Sequence, residues 1–531
     1  MHEIITLQLG QRSNYLATHF WNTQESYFTY APDQYPLVDH DIHFRPGIGA
    51  DGTETYTPRT LIYDLKGGFG SMRKINALYE VDEPAVPQGL WNGPTVVQRQ
   101  TAIQQNEYQR SLEEGSAPPQ LTTQSVKYWS DYNRVFFHPR SIVQLNEFEL
   151  NSTLMPFENW SVGEDLFNSL DKEHDLLDRD LRYFAEEADQ LQGIQLMTGI
   201  DDAWGGFAAR YLDRIRDEYG KTSVLVWGLE DNIRTIPREK RFLKLSNTAR
   251  SISEMASQAS VFVPMALPSA ALPSYVTLAP HSQWHVSGLL SSAMESMSLP
   301  SRLKVQGSAR QTFDQLSFAL NVNGNQTIAK LRMSVDQNSA LNGHGHPQAV
   351  NGEVQISDSR VPLGNGHVND SDLNEEGEPQ TFDMDFFPTE TGERSRGRRS
   401  NKVHVFGQAE NFRGDEDNGQ TQTIGEDEGY ERARRRAAGL PIIQRTRIPM
   451  SFPLLDSFPP IFAEVSATPP AIAVSTSLST DTSVALRVKS LQQIVGRAIG
   501  VEEREALSNS LGEIAEAYEE GYDSGSDEDD D

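Results

Sequence analysis

The stretch TGIDDAWGGFAARYLDRIRDEYG, residues 198–220, decides the fold. The run Ile194–Thr198 that leads into it is apolar and reads as a strand. Phe207, Tyr211, Ile215 and Tyr219 recur every four residues, with Ala208 and Leu212 beside them, so a helix buries one stripe. SVLVWGL (223–229) is a second apolar strand. Strand, helix and strand at this spacing make a βαβ unit and imply a parallel sheet. The loop between strand and helix is where such units cradle a phosphate on backbone N–H groups at a helix N-terminus. Here the loop carries two adjacent carboxylates, Asp201 and Asp202, where a phosphate wants bare glycines.

Outward from this unit, EIITLQLGQRSNYLATHFW (3–21) reads as strand, turn and helix, with Gly10 and Asn14 marking the turn. PRTLIYDLKGGFGSMRKI (58–75) gives another buried strand at Leu61–Leu65, then a loop with Gly67, Gly68 and Gly70. PGIGADG (46–52) matches G-x-G-x-x-G but opens no helix, because TETYTPR follows; it is a turn. A helix is expected near 98–113 within the polar stretch 83–127. The aromatic-rich segment 126–149 is ordered, with His138–Pro139–Arg140 a turn into a strand. Residues 164–193 form one or two amphipathic helices, and 247–296 hold two more around the apolar VFVPMALP (261–268).

Composition then changes. Residues 335–440 are rich in Asn, Gly, Asp, Glu and Ser and read as a disordered insert. Its Arg394, Arg396, Arg398 and Arg399, and the Arg432–Arg436 run, read as solvated or interaction segments. His344 and His346 in NGHGHP could bind a metal only weakly, and no metal site is expected. Order returns at IPMSFPLLDSFPPIF (448–462), followed by a β-like run (474–486) and a helix. The chain ends in EEGYDSGSDEDDD, an acidic solubilising tail in which Ser524 and Ser526 also suit an acid-directed kinase.

The bulk numbers narrow the function. Net charge is −29 over 531 residues, so a global positive field for direct nucleic-acid binding is absent. There is no cysteine, which excludes disulfides, thiolate metal sites and cysteine nucleophiles. No apolar run is long enough to span a membrane. MHEIITLQLG reads as a buried strand and not as a cleavable leader. G-x-S-x-G and H-E-x-x-H are both missing, which argues against a hydrolase.

Four segments resemble tubulins in the order tubulins have them. GQRSN resembles the GQCGN-type loop after the first tubulin strand. PRTLIYDLKGG resembles the PRA-(apolar)-DLEPG segment. LQGIQLMTGIDDAWGGFAARYLDRIRDEYGKTSVL resembles the LQGF…GGGTGSG…YGKK stretch, and LSNTARSISEM (245–255) falls at the YNATLS-like helix. KYWSDYNRVFFHPRSI and ETYTPRTLIYDLKGG are most similar to the Misato branch, over residues 1–330 well and more loosely beyond. The resemblance implies an α/β, tubulin/FtsZ-like domain with a parallel sheet flanked by helices over 1–300, with a Misato-type N-terminal segment over 1–120. A second, smaller α/β domain is expected over 301–334 and 441–515, interrupted by the insert at 335–440 and followed by a disordered tail at 516–531.

The resemblance also implies a nucleotide pocket at Gly10, Gln11, Asn14, Gly67, Gly68, Gly205, Gly206 and Asn247. Arg12 and Ser13 replace the small pair of the first loop, with Arg12 able to meet a phosphate. DDAWGGF replaces the bare GGGTGSG, so Asp201, Asp202 and Trp204 intrude. A carboxylate some 4 Å from a phosphate charge costs about 1–4 kcal/mol at surface-like dielectric; a magnesium ion between them would reverse the sign. An Asp at a helix start instead serves as the helix's own anion. One base-reading asparagine falls on Asn247 and the other on Ser287. In the loop GSARQTFDQL (307–316), Arg310 and Thr312 stand where tubulins carry the Asn and Asp that serve hydrolysis, and Asp314 is out of register. The pocket is therefore read as vestigial, with no catalytic residues and no cofactor; the alternative is GTP held as a switch, or turned over slowly, with Asp201 or Asp202 on a metal. The implied role is a non-catalytic one in partitioning mitochondria and inheriting mitochondrial DNA. The expected partners are proteins, of the mitochondrial outer surface or the cytoskeleton, met at the cytosolic face of the organelle and in the cytoplasm.

Overall fold

A computed structural model describes residues 3–29, 36–49, 52–72, 103–233, 236–304, 310–336, 382–389, 403–414, 441–463 and 470–519. The chain opens with β1 (Glu3–Leu9), buried along its whole length, and α1 (Gln11–Ser26). A hairpin, β2 (Phe44–Ile48) and β3 (Glu54–Pro58), leads to β4 (Thr60–Lys66). Within PGIGADG, the Gly52 N–H donates to Gly49 O at 2.9 Å at the end of the hairpin, while residues 50 and 51 lie outside the described residues. The short α2 (Glu107–Glu114) is capped by the Asn106 side chain and ended by Gly115 in the left-handed region. It covers part of the expected 98–113 helix; residues 98–102 lie outside the described residues.

β5 (Ile142–Glu149), α3 (Trp160–His174), α4 (Arg182–Glu186), β6 (Leu191–Gly199), α5 (Ala203–Glu218), β7 (Ser223–Leu229), α6 (Arg238–Met255) and β8 (Val261–Met265) complete the first unit. The six strands form one parallel sheet in the order β5-β4-β1-β6-β7-β8. Its central strands are apolar runs because helices cover both faces. Trp21, Trp227 and Met197 belong to the core on one side, and Phe167, Phe207 and Tyr211 to the core on the other. The helical stretch expected over 164–193, as one helix or two, is divided where Asp175 takes φ 45°.

α7 (Gln283–Ser298) and α8 (Phe313–Leu320) lead into a second sheet. It contains β9 (Lys330–Val335), β10 (Met384–Asp385), β11 (Val405–Arg413) and β12 (Ile442–Ile448). A two-residue pair, β13 (Phe452–Pro453) with β14 (Ala471–Ile472), precedes its last strand, β15 (Val474–Asp481). The strand order is β10-β9-β15-β11-β12. Two helices close the fold, α9 (Ser483–Ala498) and α10 (Val501–Glu516).

Two boundaries need correction. The insert expected at 335–440 is interrupted by structure: β10 lies in it, and β11 lies inside the second sheet, between β15 and β12. The polar reading of β11 failed because its polar side chains are buried with partners. Asn411 Nδ2 donates to Met297 O at 2.6 Å, and Arg413 pairs with Glu295. The tail expected from 516 does not begin there, since Tyr518 is fully buried and exchanges hydrogen bonds with both backbone groups of Ile328. The β-like run ends at Asp481, two residues before α9 begins. His344, His346, the arginines of 394–399 and 432–436, Ser524 and Ser526 lie outside the described residues.

Candidate functional site

β1 sits between β4 on one side and β6 on the other, so successive crossovers leave the sheet in opposite directions at its carboxyl edge. Open α/β sheets place their ligand crevice at this point. Three loops meet there: residues 10–12 after β1, 67–70 after β4 and 199–204 after β6.

Gly10 has φ 84°, and a Cβ built on it would lie 2.6 Å from Cδ1 of Trp204. The indole therefore covers the backbone of the first loop. Phe157, 5.2 Å from Trp204 between ring centres, continues the aromatic cover. Beside it remains a cleft of about 190 Å³, lined by Leu65, Leu150, Phe157, Glu149 and Asp202 among others.

Asp64 is the hub of the first two loops. It is fully buried, and accepts from Gln11 Nε2 at 2.5 Å, Asn14 Nδ2 at 2.7 Å and Leu65 N at 2.8 Å. Burial pushes its carboxyl up to about 7 against the pull of these donors. Gln11 also donates to Gly68 O. A Cβ on Gly68 would lie 2.7 Å from Gln11 Nε2 and closer still to the Asp64 carboxyl, so this position needs glycine. Gly67, at φ 87°, makes the turn and faces open space. Gly10, Gln11, Asn14, Gly67 and Gly68 thus come together, around a carboxylate.

The third loop is closed by charge. Arg12 Nη2 binds both Asp201 and Asp202, and its Nη1 lies 3.2 Å from Asp231. Lys244 Nζ, from α6, reaches Asp201 at 3.0 Å and Asp231 at 2.8 Å. The Asp231 backbone N–H donates to Asp201 Oδ2 at 2.9 Å. Burial opposes charge on Asp201, but Arg12, Lys244 and these hydrogen bonds hold its carboxyl well below the usual carboxylate range. Asp202 goes the other way: burial and the neighbouring Asp201 charge raise it despite Arg12. Burial would lower Arg12, and the three carboxylates more than reverse this. Asp202 is also the N-cap of α5, accepting from Trp204 N at 2.9 Å.

The remaining expected residues stand elsewhere. Gly205 and Gly206 lie inside α5 and are packing residues. A Cβ on Gly206 would run into Trp160 O and lie 2.9 Å from Glu164 N, both on α3, and one on Gly205 would strike Ser251 of α6. They let three helices approach closely. Asn247 is fully buried on α6; it accepts from Trp160 N at 3.1 Å and donates to Glu158 O at 2.8 Å and Asp201 O at 3.1 Å. All three bonds join protein segments. Ser287 donates to Trp284 O within α7. Arg310 lies 3.5 Å from Asp39, Thr312 caps α8, and Asp314 binds the side chain of Ser223 at the start of β7, the opposite edge of the sheet. Among the described residues no group of three or more His, Asp or Glu side chains is arranged to hold a metal ion. No helix among them is long and apolar enough to cross a membrane.

Sequence reasoning found Arg12, Asp201, Asp202 and Trp204 but missed Asp64, Asp231 and Lys244. Asp231 carried one signal, its place just past the end of β7. Lys244 carried none, being one cation among several on a helix face.

Comparison with known proteins agrees with this architecture. A tubulin domain model matches residues 118–303, and a Misato Segment II tubulin-like domain model matches residues 2–114. The chain is 54% identical over 545 residues to Protein dml-1 of Neurospora crassa, with both chains covered completely. It is 49% identical over 538 residues to Protein DML1 of Coccidioides immitis, again with full coverage of both. Protein dml1 of Schizosaccharomyces pombe is 34% identical over 359 residues, 64% of this chain and 74% of that protein.

Proposed function

This chain belongs to the fungal Dml1/Misato family of tubulin-like proteins, and from that premise we propose that it is a non-catalytic member working through protein contacts, with its ancestral phosphate site filled by its own side chains. The observation that carries this reading is the closed set Arg12–Asp201–Asp202–Asp231–Lys244 at the start of α5, roofed by Trp204 over Gly10.

A nucleotide triphosphate does not fit these residues. A phosphate cradle needs free N–H groups at a helix start and a net positive surround. Here the Asp202 carboxylate takes the Trp204 N–H, and three carboxylates already occupy two cations. Asp201 and Asp202 stand in for the anion. The loop at 310–316 offers Arg310 and Thr312 at the positions that serve hydrolysis in tubulins, so no water-orienting carboxylate stands in register.

In cells, the role we assign is in mitochondrial partitioning and the inheritance of mitochondrial DNA, at the cytosolic face of the organelle. The support is the likeness to the Misato branch. Protease treatment of intact mitochondria tests the location: the chain should be digested, and full protection would contradict it. The chemical reading is tested by titrating fluorescent GTP with and without Mg²⁺. No saturable micromolar binding is expected, and the double change Asp201→Gly/Asp202→Gly should create phosphate affinity at Arg12 and Lys244. Nucleotide bound stoichiometrically to purified protein, or micromolar affinity that Asp202→Ala abolishes, would overturn it in favour of a GTP-binding switch.

A further inference from the structure

The loop from β5 to α3 carries an apolar tip that stands in solvent. Leu154 is 93% exposed and Met155 is 55% exposed, and Pro156 beside them is exposed as well. Both sides of the tip are fixed. On one side Leu150 N donates to Lys66 O at 2.9 Å, Ser152 N to Glu149 O at 3.2 Å and Met155 N to Ser152 Oγ at 3.2 Å, while Asn151 turns the chain at φ 61°. On the other side Phe157 packs on Phe148, 5.0 Å between ring centres, and on Trp204. Asn247 then holds the next turn, donating to Glu158 O and accepting from Trp160 N. Apolar side chains exposed singly are ordinary. Two side by side on a fixed loop, next to a cleft, are the kind of surface that a partner covers.

That cleft is the one of about 190 Å³ beside Trp204, and Asn151, Ser152 and Pro156 of the loop form part of its rim. Three carboxylates that line it are not equivalent. Asp202 is bound by Arg12, and Glu158 lies 3.3 Å from Lys240. Glu149 has no cation within ion-pair distance among the described residues. Lys66, its partner across the β4–β5 ladder, does not reach it. Glu147, two residues earlier on β5, is exposed and has no such cation either. The free charge at the rim is therefore negative, on a chain whose net charge is −29. An anionic lipid surface is repelled by this face, and a cationic segment is attracted to it.

We propose that the tip and the cleft receive a segment of another protein, a large apolar side chain seating against Leu154 and Met155 and a lysine or arginine beside it reaching Glu149. The inference rests on the reading of this chain as one that works through protein contacts, and it names the place and the partner's chemistry. The loop is held before the partner arrives, so little ordering cost falls on binding. The apolar contact sets the affinity, and the charge sets the register and makes association sensitive to salt.

Random peptides displayed on phage are selected on the full-length protein after depletion on the Leu154→Ser/Met155→Ser variant. The survivors should combine Lys or Arg with a large apolar residue. Synthesised and titrated by fluorescence polarisation, they should bind Leu154→Ser/Met155→Ser about tenfold or more weakly than wild type, and Glu149→Lys severalfold more weakly. Replacing the peptide's cation by Glu should restore part of the binding to Glu149→Lys. All three positions are exposed, so each variant should keep the urea midpoint of the wild type. No surviving sequence, survivors without a cation, or affinity indifferent to Glu149→Lys would overturn the proposal. Binding to phosphatidylserine-containing vesicles that Leu154→Ser/Met155→Ser abolishes would overturn it too, assigning the tip to a membrane. Self-association abolished by the same change would assign the tip to a second copy and likewise overturn it. A saturable GTP titration refutes the preceding reading, whereas these outcomes refute the docking proposal whatever the GTP result.

Discussion

Neutralising Asp201 separates a structural charge cluster from a decorative one. Asp201 is almost fully buried and faces Arg12, Lys244 and the Asp231 N–H. Asp201→Asn preserves shape and leaves both cations, themselves largely shielded from water, short of a partner. Breaking a buried pair from one side costs about 3–5 kcal/mol. For a unit of this size that lowers Tm by roughly 6–20 °C. The adjacent Asp202 is more exposed and acts chiefly as a helix cap, so Asp202→Ala should cost about 1 kcal/mol. Urea unfolding at pH 7, followed by tryptophan fluorescence, measures both. The pH dependence follows from the direction of the shift. A carboxyl whose folded pKa is depressed contributes stability above its unfolded value near 3.8, and that stability is lost as pH falls through the folded value. The gap between wild type and Asp201→Asn should therefore be constant from pH 5 to 8 and shrink below pH 4. Arg12→Met combined with Asp201→Asn should cost less than the sum of the singles, because the double change removes both charges of the pair. A loss under about 1 kcal/mol for Asp201→Asn, or strict additivity of the pair, would refute the buried-network argument.

Four further substitutions probe the same region. Gly10→Ala meets both a left-handed φ and the Trp204 ring, and should cost about 2–4 kcal/mol in urea unfolding; adding Trp204→Ala should return the steric part but not the backbone strain. Gly206→Ala has backbone of α3 in its way and should be among the most destabilising single changes, at least about 3 kcal/mol, whereas Gly205→Ala meets a side chain and should be partly rescued by Ser251→Ala. Burial holds Asp64 up at about 7, above an unfolded value of 3.8. A raised carboxyl pKa gives stability that is complete below the unfolded value and is lost as pH rises through the folded one, so stability should fall by at most about 1.4 kcal/mol per pH unit between roughly pH 4 and 7. Asp64→Asn should flatten that slope, and an unchanged slope would locate the titration elsewhere.

The parallel sheet was legible because its strands are uninterrupted apolar runs and because α5 repeats its apolar stripe every four residues. Those are local signals. β11 was not legible, because Glu410, Asn411 and Arg413 look like solvent-facing residues until Arg445, Met297 and Glu295 are brought to them by the fold. The same holds within the site. Asp201 and Asp202 announced themselves as intruders in a glycine loop, but their partners Arg12 and Lys244 are 189 and 43 residues from Asp201 along the chain. Gly205 and Gly206 were legible as glycines and misread as to purpose. The resemblance ties them to a phosphate loop, whereas the space they leave is filled by α3 and α6.

A pocket that surrenders a bound triphosphate loses two things, negative charge at a helix start and volume under the loops. Replacing only the charge would leave a hole beside Gly10; replacing only the volume would leave Arg12 and Lys244 facing an unneutralised helix terminus. On the proposed reading, Asp201 and Asp202 answer the first need and Trp204 the second, and the three lie within four residues of each other. The consequence is thermodynamic. A ligand that binds only the folded state adds stability that grows with its concentration, as RT ln(1 + [L]/Kd). Side chains that occupy the same space add theirs at fixed, intramolecular concentration. The stability of this fold should then be indifferent to GTP over a millimolar range, and a Tm that rises by several degrees with added nucleotide would show that the side chains share the site with a ligand.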